Sequence, residues 1–130
     1  MKQELYYLTL VAAFTGLLWV PYVLERIGSW GLLPAVGYPD NPPAQAAWAQ
    51  RMIKAHKNAV ENLVVFAALV LAAQAAGVSN AATAMAAMVY FWARVVHAAA
   101  YTLAIPWVRT LAFTAGFLAY MTFAWQILAR

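Results

Sequence analysis

Four stretches of this chain are too apolar and too long to lie in water. Leu5 to Leu24 gives about twenty mostly apolar positions, enough to cross a bilayer as one helix. A second helix begins near Pro43 or Ala44, polar at first and fully apolar from Leu63 to Ala76. Ala81 to about Ile105 is the third run and Leu111 to Leu128 the fourth. Spans of about 5–24, 58–76, 81–105 and 110–128 predict one all-α domain over residues 1–130, an integral membrane four-helix bundle subunit. Composition agrees. The 130 residues are 66% hydrophobic and 9% charged, where a soluble domain carries roughly a quarter charged. The first run is too long for the apolar core of a cleaved signal peptide, and VLERIGSW follows it, so it reads as a retained span. Pro21 is expected to bend or end it. Residues Ile27 to Ala47, with their glycines and PDNPP, read as a surface loop.

Charge is scarce and unevenly placed. Arg26, Arg51, Lys54, Lys57 and Arg109 all fall near the first and third connections, whereas the Gly77–Asn80 turn has none and the termini add only Lys2 and Arg130. By the excess of Lys and Arg, those connections face the cytoplasm and both termini face out. The net charge of +4 therefore reads as topology. No basic tract interleaved with aromatics stands in a polar context, so nucleic acid is not an expected partner. There is no cysteine, which excludes disulfides, a Cys nucleophile and thiolate metal sites. Any thiol chemistry must use a thiol brought by a ligand.

The stretch RMIKAHKNAVEN, Arg51 to Asn62, concentrates the polar groups. Arg51, Lys54, Asn58 and Glu61 fall at i, i+3, i+7 and i+10, one helix face. Glu61 already stands among apolar residues, where an unpaired carboxylate is costly. On the third helix Tyr90, Arg94, His97 and Tyr101 form one polar stripe, and Arg94 is the expected partner of Glu61. One carboxylate cannot neutralise Arg51, Lys54, Lys57, Arg94 and Arg109. The surplus suits an anionic ligand bearing carboxylates or phosphate, with headgroup phosphates as alternative partners for the shallower cations. His56 and His97 could in principle hold a haem between them. But His56 lies about half a turn from the Asn58/Glu61 face, and a hydrogen bond to a neighbouring helix is the ordinary reading for each. No metal is expected.

KAHKNAVEN, an apolar helix, RVVHAAAY, a short loop and Arg109-Thr110 together resemble the MAPEG family, the membrane-associated proteins in eicosanoid and glutathione metabolism. The likeness is close over about residues 48 to 130 and general over the first helix. It implies a bacterial-type member: a multi-pass inner-membrane subunit that assembles as a homotrimer and binds glutathione between subunits near the cytoplasmic face. Lipophilic small molecules, electrophiles or hydroperoxides, would reach the thiolate laterally from the lipid bilayer. Matched position by position, Arg51, Lys54, Lys57, Asn58, Glu61, Arg94, His97 and Tyr101 would hold glutathione. Arg109 and Thr110 would be catalytic, stabilising the thiolate. Lys54 and Lys57 stand where arginines occur in the family, and Phe113 where several members have tyrosine. The expected function is a membrane-bound glutathione-dependent transferase or peroxidase. The alternatives are a non-catalytic member binding a lipid or partner, and, more remotely, a small four-helix transporter. Such transporters usually place an acid in the first span, and Leu5 to Leu24 has none.

Overall fold

In a computed structural model, residues 1–129 are described; Arg130, counted above among the terminal charges, lies outside them. The described chain is helical, with no strand: α1 (Gln3–Leu17), α2 (Trp19–Trp30), α3 (Leu32–Val36), α4 (Ala47–Ala75), α5 (Ala81–Thr102) and α6 (Pro106–Leu128). Three helical stretches are long and apolar enough to cross a membrane: Gln3–Trp30, which joins α1 to α2, then Ala47–Ala75 and Pro106–Leu128. The fourth expected span, α5, is not among them. At 22 residues it is about 33 Å long, sufficient by length. Its polar stripe lowers its hydropathy, and that stripe is turned inward: Tyr90, Arg94 and His97 are buried.

The helix α5 is the centre of the packing. It touches α1, α4 and α6, while α4 also touches α1, α2 and α6. Alanines at positions 86, 87, 93, 98 and 100 of α5 are buried, so neighbouring backbones come close, as small residues allow in lipid. Phe66 of α4 stacks on Tyr90 of α5 at 3.8 Å and meets Phe123 of α6 edge-on. These rings, with Val11 and Val70, fill the middle of the bundle.

Local chemistry sets the ends. α4 stops in a turn with Gly77 at φ 73°, Val78 N–H donating to the Ala73 carbonyl and Gly77 N–H to that of Gln74. α5 starts in a capping box: the Asn80 side chain accepts from Thr83 N–H while the Thr83 hydroxyl accepts from Asn80 N–H.

Several boundaries differ from the sequence reading: α4 starts at Ala47 and not near Pro43 or Ala44, and α5 ends at Thr102 and not near Ile105. Pro21 does not end the first helix. The helix is interrupted for one residue at Leu18, because the missing N–H and the ring of Pro21 both act on the Leu17 carbonyl four residues back. Helix then continues to Trp30, and α3 takes part of the expected loop. Lastly, α6 begins at Pro106, where a missing N–H costs nothing in the first turn. Arg109 is therefore a first-turn residue of a helix and not part of a crossing loop.

Candidate functional site

At the end of the bundle where α4 begins and α5 gives way to α6, a chamber of about 310 Å³ is lined by Asn58, His97, Tyr101, Arg109, Thr110 and Phe113. Five of these were singled out in the sequence. Asn58 comes from α4, His97 and Tyr101 from α5, and the rest from the first two turns of α6. The Arg109 guanidinium lies 4.8 Å over the Tyr101 ring, a cation–π contact that fixes it at the chamber wall. His97 meets Tyr101 and Phe113 ring to ring. Thr110 donates to the Pro106 carbonyl at 3.3 Å, a long bond that leaves its hydroxyl easily redirected.

Behind the chamber sits Arg94, 2% exposed. Its Nη2 donates to Asn58 Oδ1 at 2.7 Å and to His97 Nδ1 at 3.3 Å. A guanidinium only donates, so Nδ1 is the acceptor and a neutral His97 carries its proton on Nε2. Asn62 also donates to Asn58 Oδ1. The Asn58 amide NH2 makes no hydrogen bond among the described residues. Arg94 Nε and the Tyr90 hydroxyl oxygen are buried without a hydrogen-bond partner among the described residues. A buried cation thus has an amide and an imidazole for company and no carboxylate.

The expected Glu61–Arg94 pair does not form within the subunit. The face assumed to carry Arg51, Lys54, Asn58 and Glu61 divides in two. Arg51 and Asn58 turn toward α5, Arg51 through a 2.9 Å bond from Nε to the Thr102 carbonyl. Lys54, Lys57 and Glu61 are exposed on the other side of α4 and line no part of the chamber. The reason is the 100° step per residue. Lys54 and Glu61 are roughly 60° from Arg51 and Asn58 around the axis, enough to move a side chain off the α5 contact.

Several partners were not legible in the sequence. Tyr22 and His56 share a 2.7 Å hydrogen bond, which gives His56 a structural partner on α2. Gln45 accepts from Arg26 Nε and donates to the Tyr22 carbonyl and Glu25, while Trp30 donates to the Pro43 carbonyl. These bonds fasten the PDNPP segment to α2. Their donors and acceptors lie 13 to 23 residues apart, and no local pattern announces them. Asn62 was detectable as the i+4 neighbour of Asn58. Among the described residues no three His, Cys, Asp or Glu side chains gather as metal ligands would.

A family model described as the MAPEG family matches residues 9–129. The chain belongs to the MAPEG family. The match begins at residue 9, inside α1, and so takes in much of the first helix, which the sequence likeness covered only in general character. MAPEG proteins are membrane-bound and associated with glutathione, and the apolar helices of this member fit a bilayer. No curated protein and no solved structure matches the chain.

Proposed function

We propose that this MAPEG protein is a glutathione-dependent transferase or peroxidase acting on lipophilic electrophiles or hydroperoxides. The observation that carries the reading is the chamber that joins Arg109 and Thr110 to Asn58, His97 and Tyr101, backed by a buried guanidinium without an acid. Asn58, Arg94, His97 and Tyr101 would hold the peptide. Lys54, Lys57 and Glu61, exposed on α4, would meet glutathione only where a neighbouring subunit closes the site, in keeping with four spans per subunit and a homotrimer. Arg51 counts among the glutathione ligands by resemblance, yet it opens on an adjoining pocket. An inner-membrane location with both termini outside completes the reading and follows the charge distribution.

The chemistry required is modest. A free thiol titrates at about 8.5, so only a few percent is thiolate at neutral pH. Arg109 and the Thr110 hydroxyl would favour the anion. The thiolate then displaces a leaving group from carbon, or takes the distal oxygen of a hydroperoxide, with a second glutathione completing the disulfide.

The test is thiolate absorbance and turnover on adding glutathione to the purified protein, beside Arg109→Ala. Loss of about two pKa units of stabilisation, roughly 2.7 kcal/mol, should nearly abolish the thiolate signal at neutral pH while glutathione still binds. Unchanged turnover would remove Arg109 from the mechanism. Binding without thiolate in the unaltered protein would favour the non-catalytic alternative.

A further inference from the structure

Beside the thiol chamber lies a second pocket, of about 220 Å³, lined by Arg51, Tyr101, Ala104, Ile105, Pro106 and Arg109 among others. We propose that it binds the phosphate of an anionic membrane phospholipid. The proposal rests on charge accounting and on depth. The pocket shares Tyr101 and Arg109 with the thiol chamber, so phosphate and thiolate would draw on one guanidinium, and competition by glutathione tells the two apart.

Two guanidinium groups border the pocket. Arg51 is held by Nε on the Thr102 carbonyl, and its remaining N–H groups have no hydrogen bond among the described residues. The Arg109 guanidinium makes only the ring contact with Tyr101. The sequence has four acids, and within the subunit none reaches this place. Glu4 accepts from Ser79, in the turn before α5 and so at the far end of the bundle. Glu25 is bound to Ser29 and Gln45. Asp40 and Glu61 are exposed and line no part of the pocket. Two like charges on one small cavity repel unless an anion joins them. A phosphodiester offers two free oxygens, one for each guanidinium.

The wall of the pocket is built for close approach. Its rim is the turn from α5 to α6, where Ala104 takes φ 61°, the left-handed region that alanine rarely enters. Ile105 N–H bonds the Ala100 carbonyl and Ala104 N–H the Tyr101 carbonyl. Arg51 takes the next carbonyl, that of Thr102. The turn is thereby satisfied internally, and the outward N–H groups of Arg51 stay free for a ligand.

Depth points to a lipid. Trp107, one residue past the pocket rim, is 78% exposed, and Leu103 and Leu111 flank it at 66% and 65%. An exposed Trp at a helix end beside exposed leucines marks the level where hydrocarbon meets headgroups. Acyl chains lying along Leu111 would place their phosphate at Arg51 and Arg109. The volume is below the roughly 300 Å³ at which ordinary small-molecule sites begin, small for a tripeptide but adequate for a phosphate.

The experiment is calorimetric titration of the full-length, delipidated protein in neutral detergent. The probes are dihexanoyl phosphatidylglycerol, dihexanoyl phosphatidylcholine and inorganic phosphate. The proteins are the unaltered chain, Arg51→Gln, Arg51→Lys and Arg109→Gln. Phosphatidylglycerol should bind about tenfold or more tightly than either other probe. That preference should vanish in Arg51→Gln and Arg109→Gln and survive partly in Arg51→Lys, which keeps the charge and loses the fork. Arg109→Gln breaks no hydrogen bond of the fold, so it decides the matter if Arg51→Gln fails to fold. Equal binding of the two lipids, or unaltered affinity in Arg109→Gln, would overturn the proposal. Inorganic phosphate binding as tightly as the lipid would make this a free-anion site instead. Displacement of phosphatidylglycerol by glutathione would return the pocket to the peptide.

Discussion

Arg94 donates to Asn58 where the sequence suggested Glu61, and the fold depends on that acceptor. Arg94 is 2% exposed, too deep to recover a water partner if the amide is lost. Asn58→Leu should therefore destabilise the bundle by about 1.5–3 kcal/mol, the range for a hydrogen bond to a charged group. Thermal unfolding in detergent would measure it. Asn58→Asp should cost far less, because a carboxylate accepts from the same Nη2 and adds the charge the guanidinium lacks. Equal melting of the two variants would show that Asn58 matters by volume and not by hydrogen bonding. Phe66 is a second residue whose weight comes from contacts. It is fully buried between Tyr90 and Phe123, and Phe66→Ala should cost about 3–5 kcal/mol in the same assay.

Among the elements, the α5–α6 hairpin carries most of the chamber, and Gly116 lies on its buried seam against Tyr90, Ala93 and Arg94. A Cβ at Gly116 would meet Ala93, Arg94 and Tyr90 side chains at 3.8 Å, ordinary van der Waals contact. Gly116→Ala should fold normally and gain slightly from helix propensity. Gly116→Leu has nowhere to put its branch and should push α6 off α5, at about 1–3 kcal/mol. Because Arg109 and Thr110 ride on α6 and His97 on α5, the same change should weaken glutathione binding, while Gly116→Ala should not. Wild-type affinity in a folded Gly116→Leu protein would mean the chamber does not depend on this spacing.

For the whole molecule, the informative surface is the exposed stripe of α4: Lys54, Lys57, Glu61, Val64, Ala68 and Leu71. The groove between α5 and α6 is apolar instead, lined by residues such as Trp92, Val96 and Leu111. An exposed carboxylate at the head of the apolar part of α4 tolerates lipid poorly, so under the proposed oligomer the α4 stripe is the side expected to face other subunits and the α5–α6 groove the side expected to face lipid. The absence of native cysteine makes this easy to examine. Val64→Cys should give disulfide-linked dimers in the membrane, and Trp92→Cys should not. The reverse pattern would put the subunit contact on the other side of the bundle.

The sequence by itself located the four long apolar runs and the turn at Gly77 and Asn80, because run length and turn chemistry act locally; it did not locate α3 or the continuation of helix to Trp30. Helix spacing put Asn58 on a polar face of α4 and His97 and Tyr101 on a polar stripe of α5, while Arg109 and Thr110 came from the family likeness; the structure brings these five side chains to one chamber. Only the tertiary structure decided which face of α4 meets α5. A rotation of about 60° separates Asn58 from Glu61, and periodicity read on one helix cannot resolve it. The same holds for Arg51 on Thr102, Tyr22 on His56 and Gln45 among Tyr22, Glu25 and Arg26. Those pairs are far apart in the chain and are joined by how the helices pack, which depends on the summed shape of many side chains and on no single motif.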